Sequence, residues 1–256
     1  MSYAKPPILT GSGRSDYENY LRTDELLSLQ KNSDQGEHRD ELLFTIVHQA
    51  SELWLKLSSS EISEAIEKLR QNNLREPQRL LSRAVLCIHQ THNALDMLEK
   101  MSPWDYQQVR RALGHGSGFD SPGFNQLRKL MPGLGTEFQR LLKEKKIDLV
   151  TLFLNDRKFE DLFQLAEWLL ELDERIALWR SRHFKVVARS IGQDVQGTQG
   201  TPVQVLAKLN SFTFFPELWS VRSQLTELAD AGQEMNTSGA QDKKQDLPIV
   251  RHSSRN

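Results

Sequence analysis

A single cysteine, Cys87, occurs among the 256 residues. One thiol cannot close an intramolecular disulfide or build a cysteine-based zinc or iron–sulfur cage. Cys87 lies in the apolar run AVLCI, where it reads as a small buried hydrophobe with no electropositive neighbour to activate it. Charge of one sign is also missing. Thirty-three basic residues meet 34 acidic ones for a net charge of -1, and no local Lys/Arg cluster supplies the footprint of a nucleic-acid binder. No stretch approaches the run of about 20 apolar residues that spans a membrane. The first residues, MSYAKPPILTGSGRSDYENY, contain no continuous apolar segment of the kind a secretory signal needs, so the expected location is cytoplasmic.

Long segments instead repeat apolar residues at helical spacing, and no run alternates like a strand. An amphipathic helix is expected from about Tyr17 to Gln30, followed by the polar break KNSDQGEHRD. A long helix from about Asp40 to Asn72 places Phe44, Val47, His48, Ser51 and Leu55 on one face. A third runs from near Pro77 to Met101. Ser102 then reads as an N-cap with Pro103 at the first helical position of a short helix ending at Leu113. After the glycine-rich stretch GHGSGFDSPG, shorter helical pieces are expected, interrupted at Pro132-Gly133 and Gly135. A second long helix, from Phe159 to Ile191, carries the stripe Ile176, Trp179, His183, Val186, Val187 and Ser190, with Gly192 as its C-cap. A helix from near Pro202 and another ending about Ala231 follow. The polar residues 232–256 read as a mobile tail. The expected fold is all-α, a single helical-bundle domain over residues 1–231 with two long central helices.

Two histidines stand out because each sits mid-helix on an apolar face, on the two longest helices. His48 and His183 are therefore either hydrogen-bonded core residues or ligands. His89 and His92, three apart, lack an Asp, Glu or His at the spacing a shared metal requires. A di-iron bundle needs Glu three residues before His on two helices, and no histidine here has it. No GxSxG elbow occurs, and the glycines of GHGSG and GTQG follow no strand, which excludes a dinucleotide fingerprint.

Five blocks carry a resemblance. HRDELLFTIVHQASELWLKL (38–57), MSPWDYQQVRRALGHGSGFDSPGF (101–124), LWRSRHFKVVARSIG (178–192), TFFPELWSVR (213–222) and YENYLRTDELLSLQ (17–30) resemble, in the same order, segments of the heme-dependent tryptophan 2,3-dioxygenases. The resemblance implies heme b, ferrous when active, with His183 as its axial metal ligand, and dioxygen as co-substrate. With no CxxCH in the sequence, that heme would be held without thioether links. The resemblance also implies that His48 faces the indole N–H as the catalytic residue and that Phe44 packs on the indole. Arg110 and Tyr106 would hold the amino acid's carboxylate, the guanidinium by a bidentate fork. Thr198 would contact its ammonium and carboxylate, while Ser117 and Gly118 would pass over the heme edge. Tyr17, Tyr20 and Leu21 would reach a neighbouring subunit's pocket, which implies a homo-oligomer, commonly a tetramer.

The expected reaction is 2,3-dioxygenation of L-tryptophan, or of a modified tryptophan, to an N-formylkynurenine. Insertion of one oxygen atom into a substituted indole is an alternative within the class, and a heme-binding or gas-sensing protein without turnover is the alternative outside it. Two departures bear on this choice. The family's loop usually reads GTGG, whereas here it is Gly197-Thr198-Gln199-Gly200-Thr201-Pro202. Gln199 is expected to forfeit any glycine-only conformation, and Pro202 to stiffen the segment. Between Phe124 and Trp179 the chain is also shorter than the usual member, which is expected to alter the outer pocket wall or the oligomer contacts.

Overall fold

The computed structural model describes residues 6–31 and 35–242, with the backbone alone for 232–242. Two long helices dominate, α3 (Asp40–Arg70) and α8 (Glu160–Ile191). Around them lie α4 (Arg75–Leu98), α5 (Pro103–Ala112), α6 (Pro122–Lys145) and α7 (Leu149–Leu154). The short α1 (Asp16–Leu21) and α2 (Thr23–Ser28) precede them, and α9 (Gln204–Lys208) and α10 (Pro216–Asp242) follow. The fold is all-α. Among the described residues the one strand-like feature is an isolated antiparallel bridge between Gln196 and Pro202. No described helix is long and apolar enough to cross a membrane.

Helix α4 packs along both α3 and α8, α6 packs on the other side of α3, and α5 touches α3 and α8 alike. The core they share follows the sequence stripes. Leu55, Ile62 and Leu69 of α3 meet Leu81 and Ile88 of α4, Leu127, Met131, Leu134 and Phe138 of α6, and Leu165, Leu169 and Leu172 of α8. Each such side chain, fully removed from water, contributes on the order of 1.5–3 kcal/mol. Cys87 is buried as expected, and burial pushes its thiol pKa up. Within α8, the buried carboxylate of Asp173 accepts from the backbone N–H of Phe214 and Phe215 and from Trp219 Nε1, at 2.9, 3.1 and 3.1 Å. That one oxygen ties the segment entering α10 to the middle of α8.

Three boundaries differ from the sequence expectation. Residues 122–145 form one continuous helix, not pieces broken at Pro132. Leu127, Met131, Leu134, Phe138 and Leu141 form a single buried stripe, so the packing of the whole face outweighs the local hydrogen bond that proline removes. The expected helix 17–30 is two helices, because Arg22 adopts a left-handed conformation (φ 53°) that ends α1 and starts α2. Neither short helix buries a residue, so no packing holds them in register. Helix α10 runs past Ala231 to Asp242; the remainder of the expected tail, 243–256, lies outside the described residues. Pro77 falls at the third position of α4, where its missing N–H would have had no intrahelical partner.

Candidate active site

One wall of the site is a single face of α3. Phe44, His48 and Glu52 follow one another at four-residue spacing, one turn each. His48 Nδ1 lies 2.7 Å from the Phe44 carbonyl oxygen. A carbonyl can only accept, so the proton resides on Nδ1 and the free lone pair on Nε2. The Phe44 ring stacks on the imidazole at 4.0 Å between centroids and lies 6.2 Å from the Tyr106 ring of α5. His48 remains exposed as a whole residue, while the protein around its ring is enough to desolvate it. Desolvation lowers its pKa, against the opposing influence of the Phe44 carbonyl and the Glu52 carboxylate. At neutral pH His48 is therefore a neutral acceptor with a fixed tautomer.

Across from it stands His183, on α8. Its ring is parallel to that of Trp179, with 4.9 Å between centroids and 8° between planes, and Trp179 in turn meets Phe124 of α6 at 3.9 Å. The three rings wedge the imidazole direction between two helices. Burial, with a smaller contribution from nearby His48, pulls the His183 pKa down to about 4. Among the described residues nothing hydrogen-bonds to its ring nitrogens. A neutral, part-buried and unpartnered imidazole on a rigid helix could hold a heme iron, so the residues present fit the cofactor. Among the described residues no cluster of His, Cys, Asp or Glu offers a second metal site, and His89 and His92 merely lie parallel at 6.4 Å.

The roof comes from α5 and two loops. Arg110 of α5 donates through Nη2 to the Gln196 carbonyl at 3.0 Å, which leaves the rest of its fork uncommitted. Tyr106, one turn earlier, has its pKa raised by burial, with the Arg110 charge acting in the opposite direction. Ser117 caps a 3-10 turn, Gly118–Asp120, through a reciprocal pair in which the Asp120 carboxylate accepts from the Ser117 N–H. A Cβ on Gly118 would touch His183 Cε1 at 4.0 Å, so this backbone passes directly beside the imidazole. Residues 195–203 form a small hairpin, closed by Val203 N–H to Val195 O at 3.1 Å and turned by Gly200 N–H to Gly197 O at 3.0 Å. Thr198 and Gln199 occupy the tip. The Thr198 hydroxyl donates to the Gly116 carbonyl, and Gln199 Nε2 donates to Asp120 Oδ2 at 2.6 Å.

Phe44, His48, Tyr106, Arg110, Ser117, Gly118, His183 and Thr198 are thus brought to one region. Tyr17, Tyr20 and Leu21 are not part of it within one chain: they are 69%, 77% and 45% exposed. The arm is nevertheless tethered beside the site, since Gln30 donates to Gln49, the residue after His48. Sequence reasoning missed Glu52. Its carboxylate accepts from the Ser121 hydroxyl and the Gly123 N–H, at 2.5 and 2.9 Å, and so clamps the first turn of α6 to α3 one turn from His48. A Cβ on Gly123 would stand 2.5 Å from Leu55 Cβ, so only glycine permits that approach. The signal for Glu52 was its four-residue spacing from His48 on an otherwise apolar face. No glycine-only conformation is required at Gln199, because the left-handed residue of the turn is Gly200 (φ 75°).

Comparison with known proteins agrees with this arrangement. The profile of the tryptophan 2,3-dioxygenase family matches residues 4–146 and 139–225. The two matches meet at the end of α6, inside the segment expected to be shortened. A tryptophan 2,3-dioxygenase of Bacillus anthracis is 31% identical over 263 residues, covering 82% of this chain and 92% of the relative. Those of Myxococcus xanthus (32% over 274 residues; 87% and 94% covered) and Erythrobacter litoralis (33% over 261 residues; 82% and 98%) are similar to the same extent. With nearly the whole helical domain matched and two histidines brought near each other, the chain belongs to the tryptophan 2,3-dioxygenase family.

Proposed function

We propose that the chain binds heme b through His183 and cleaves the indole C2–C3 bond of L-tryptophan with dioxygen, giving N-formylkynurenine. The family is heme-dependent and uses dioxygen. The observation that carries the reading for this chain is the pairing of a neutral, unpartnered His183 with a His48 whose Nδ1–H is committed to the Phe44 carbonyl. When bound, ferrous heme supplies the centre that binds and activates dioxygen.

The remaining work falls to the chain's own side chains. His48 Nε2 accepts from the indole N–H and so fixes the ring's orientation, while Phe44 packs on the indole face. The open donors of Arg110 pair with the carboxylate, in a charge-assisted fork that a lysine could not reproduce. Tyr106 adds a phenolic hydrogen bond from the same face of α5. Thr198, on the hairpin, reaches the ammonium and carboxylate and helps to exclude water, and Ser117 and Gly118 border the heme edge. Tyr17, Tyr20 and Leu21 complete the pocket of a neighbouring copy in a cytoplasmic homotetramer; their exposure in the single chain supports this. An amino-acid clamp also argues against a gas sensor, which needs none. Single-oxygen insertion draws no support from relatives that all carry the dioxygenase name.

The test is anaerobic addition of L-tryptophan, its methylated analogues and free indole to the ferrous protein, followed by oxygen and mass analysis. Gain of both oxygen atoms by L-tryptophan is the expected result. Gain of one atom, or turnover of free indole in preference, would overturn it.

A further inference from the structure

Three hydrogen bonds join the hairpin 195–203 to the opposite side of the site. Arg110 donates to the Gln196 carbonyl, the Thr198 hydroxyl to the Gly116 carbonyl, and the Gln199 amide to the Asp120 carboxylate. The first two use groups already assigned to the substrate, so both must loosen or share when an amino acid enters. The third uses groups with no role toward the substrate. Its acceptor is ionised, so like the Arg110 bond it is of the stronger, charge-assisted kind. Asp120 is itself fixed, because its same oxygen accepts from the Ser117 N–H of the capping pair, 3.1 Å away. Hence the hairpin tip is anchored to the turn that runs beside His183.

We propose that Gln199 is a positioning residue: its hydrogen bond to Asp120 latches the hairpin closed before substrate arrives and so presents Thr198 in its binding position. This rests on the substrate reading given above. The geometry of the tip supports it in two ways. Thr198 and Gln199 are the two central residues of one turn, so fixing the second side chain limits the freedom of the first. Gly200 takes the left-handed conformation, which lets position 199 carry a side chain with negative φ at no backbone cost. A glycine at 199 would allow the turn but not the latch. Such a hairpin would be joined to the opposite side by two bonds in place of three until substrate bridged it. A latch raises the closed fraction in advance, and apparent affinity rises in proportion to that fraction.

The test uses the holoenzyme. Hydrogen exchange is followed at the hairpin amides, Gly197, Gly200 and Val203 above all, without ligand and then with L-tryptophan. Gln199→Gly removes the latch, and Gln199→Glu sets a second carboxylate against Asp120. Exchange without ligand should quicken roughly three- to tenfold in the first variant, and further in the second. KM for L-tryptophan should rise by a similar factor with kcat held within about twofold, because the lost interaction serves binding more than chemistry. Adding Gln199→Gly to Asp120→Ala should change little beyond Asp120→Ala alone, since each removes the same bond. Unchanged exchange in both Gln199 variants would overturn the latch. Faster exchange with an unchanged KM would overturn its role toward Thr198. If the wild type neither binds nor turns over L-tryptophan, the substrate reading fails, and the exchange comparison still decides whether Gln199 holds the hairpin.

Discussion

The two walls of the cleft are built on different principles. His183 is held by ring stacking on Trp179 and Phe124, between two helices that share the hydrophobic core, and its ring makes no hydrogen bond to the described residues. The roof over His48 depends instead on exposed hydrogen bonds from side chains to loop carbonyls or a loop carboxylate: Arg110 to Gln196, Thr198 to Gly116, Gln199 to Asp120. Packed cores resist small displacements, whereas exposed hydrogen-bonded loops open at low free-energy cost. A metal ligand needs the first property. A pocket that must admit and release an amino acid needs the second.

Removing His183 would break the rigid side outright. His183→Ala should yield protein with little bound heme, read as loss of the Soret band after reconstitution, because on the proposed reading this one side chain would hold the iron. Full occupancy with an unchanged spectrum would place the ligand elsewhere. A histidine that served packing alone would lose stability and keep heme affinity.

The mobile side breaks differently. Arg110→Leu should leave heme content unchanged and weaken L-tryptophan binding by about 2–5 kcal/mol, the range for truncating one partner of a buried, hydrogen-bonded charge pair. Much of that loss is the cost of a carboxylate left desolvated and unpaired. Tryptamine and free indole, which lack the carboxylate, should be poor with the wild type and lose nothing more in the variant. Unchanged turnover of the best substrate would show that Arg110 does not clamp it.

Acid separates the walls again. The His183 pKa lies near 4, below the ordinary histidine value of 6.5. Between those two values the unfolded chain binds a proton there that the folded chain refuses, so stability falls as pH drops through that window and levels off below it. The full loss is about 3 kcal/mol. In the holoenzyme the same depression means that protons compete with iron for the lone pair only as pH nears 4. If His183 holds the iron, heme retention should therefore persist through pH 5 and fail only as pH falls to about 4 or below, monitored by absorbance during a pH titration. Release centred at 6.5 would mean an imidazole as well hydrated as a free one.

This contrast also explains what the sequence revealed. The helices α3 and α8, and the histidines on their faces, were legible because periodicity marks a buried stripe: Val47, Leu55, Ile176 and Val186 are buried where it placed them. Pro132 was misread because a local rule was applied where a long apolar face decides the outcome. The links of the roof were not legible at all. Glu52 meets Gly123 across 71 residues, and Gln199 meets Asp120 across 79, and no local pattern encodes such a pairing. Gln199 drew notice only as a departure from glycine. The glycine-only conformation belongs to its neighbour, Gly200.

The smallest effect belongs to the residue that joins the two walls. Glu52 reaches from the His48 face of α3 to the first turn of α6, the helix whose Phe124 supports Trp179 and hence His183. Glu52→Gln keeps the shape and an oxygen for the Gly123 N–H, and its amide can donate to the Ser121 hydroxyl. What it loses is the negative charge at the N-terminus of α6, about 0.3–1 kcal/mol. Glu52→Ala also leaves the Ser121 hydroxyl and the Gly123 N–H without their acceptor and should cost more, about 1–3 kcal/mol. Because the carboxylate opposes the depression of the His48 pKa, both variants should lower that pKa further. His48 would then remain neutral to still more acid pH, and the acid limb of tryptophan binding should move down with it. Chemical denaturation combined with the pH dependence of binding reads both effects together. If Glu52→Ala left stability and the acid limb where they are, the clamp would contribute nothing, and each wall would stand independently of the other.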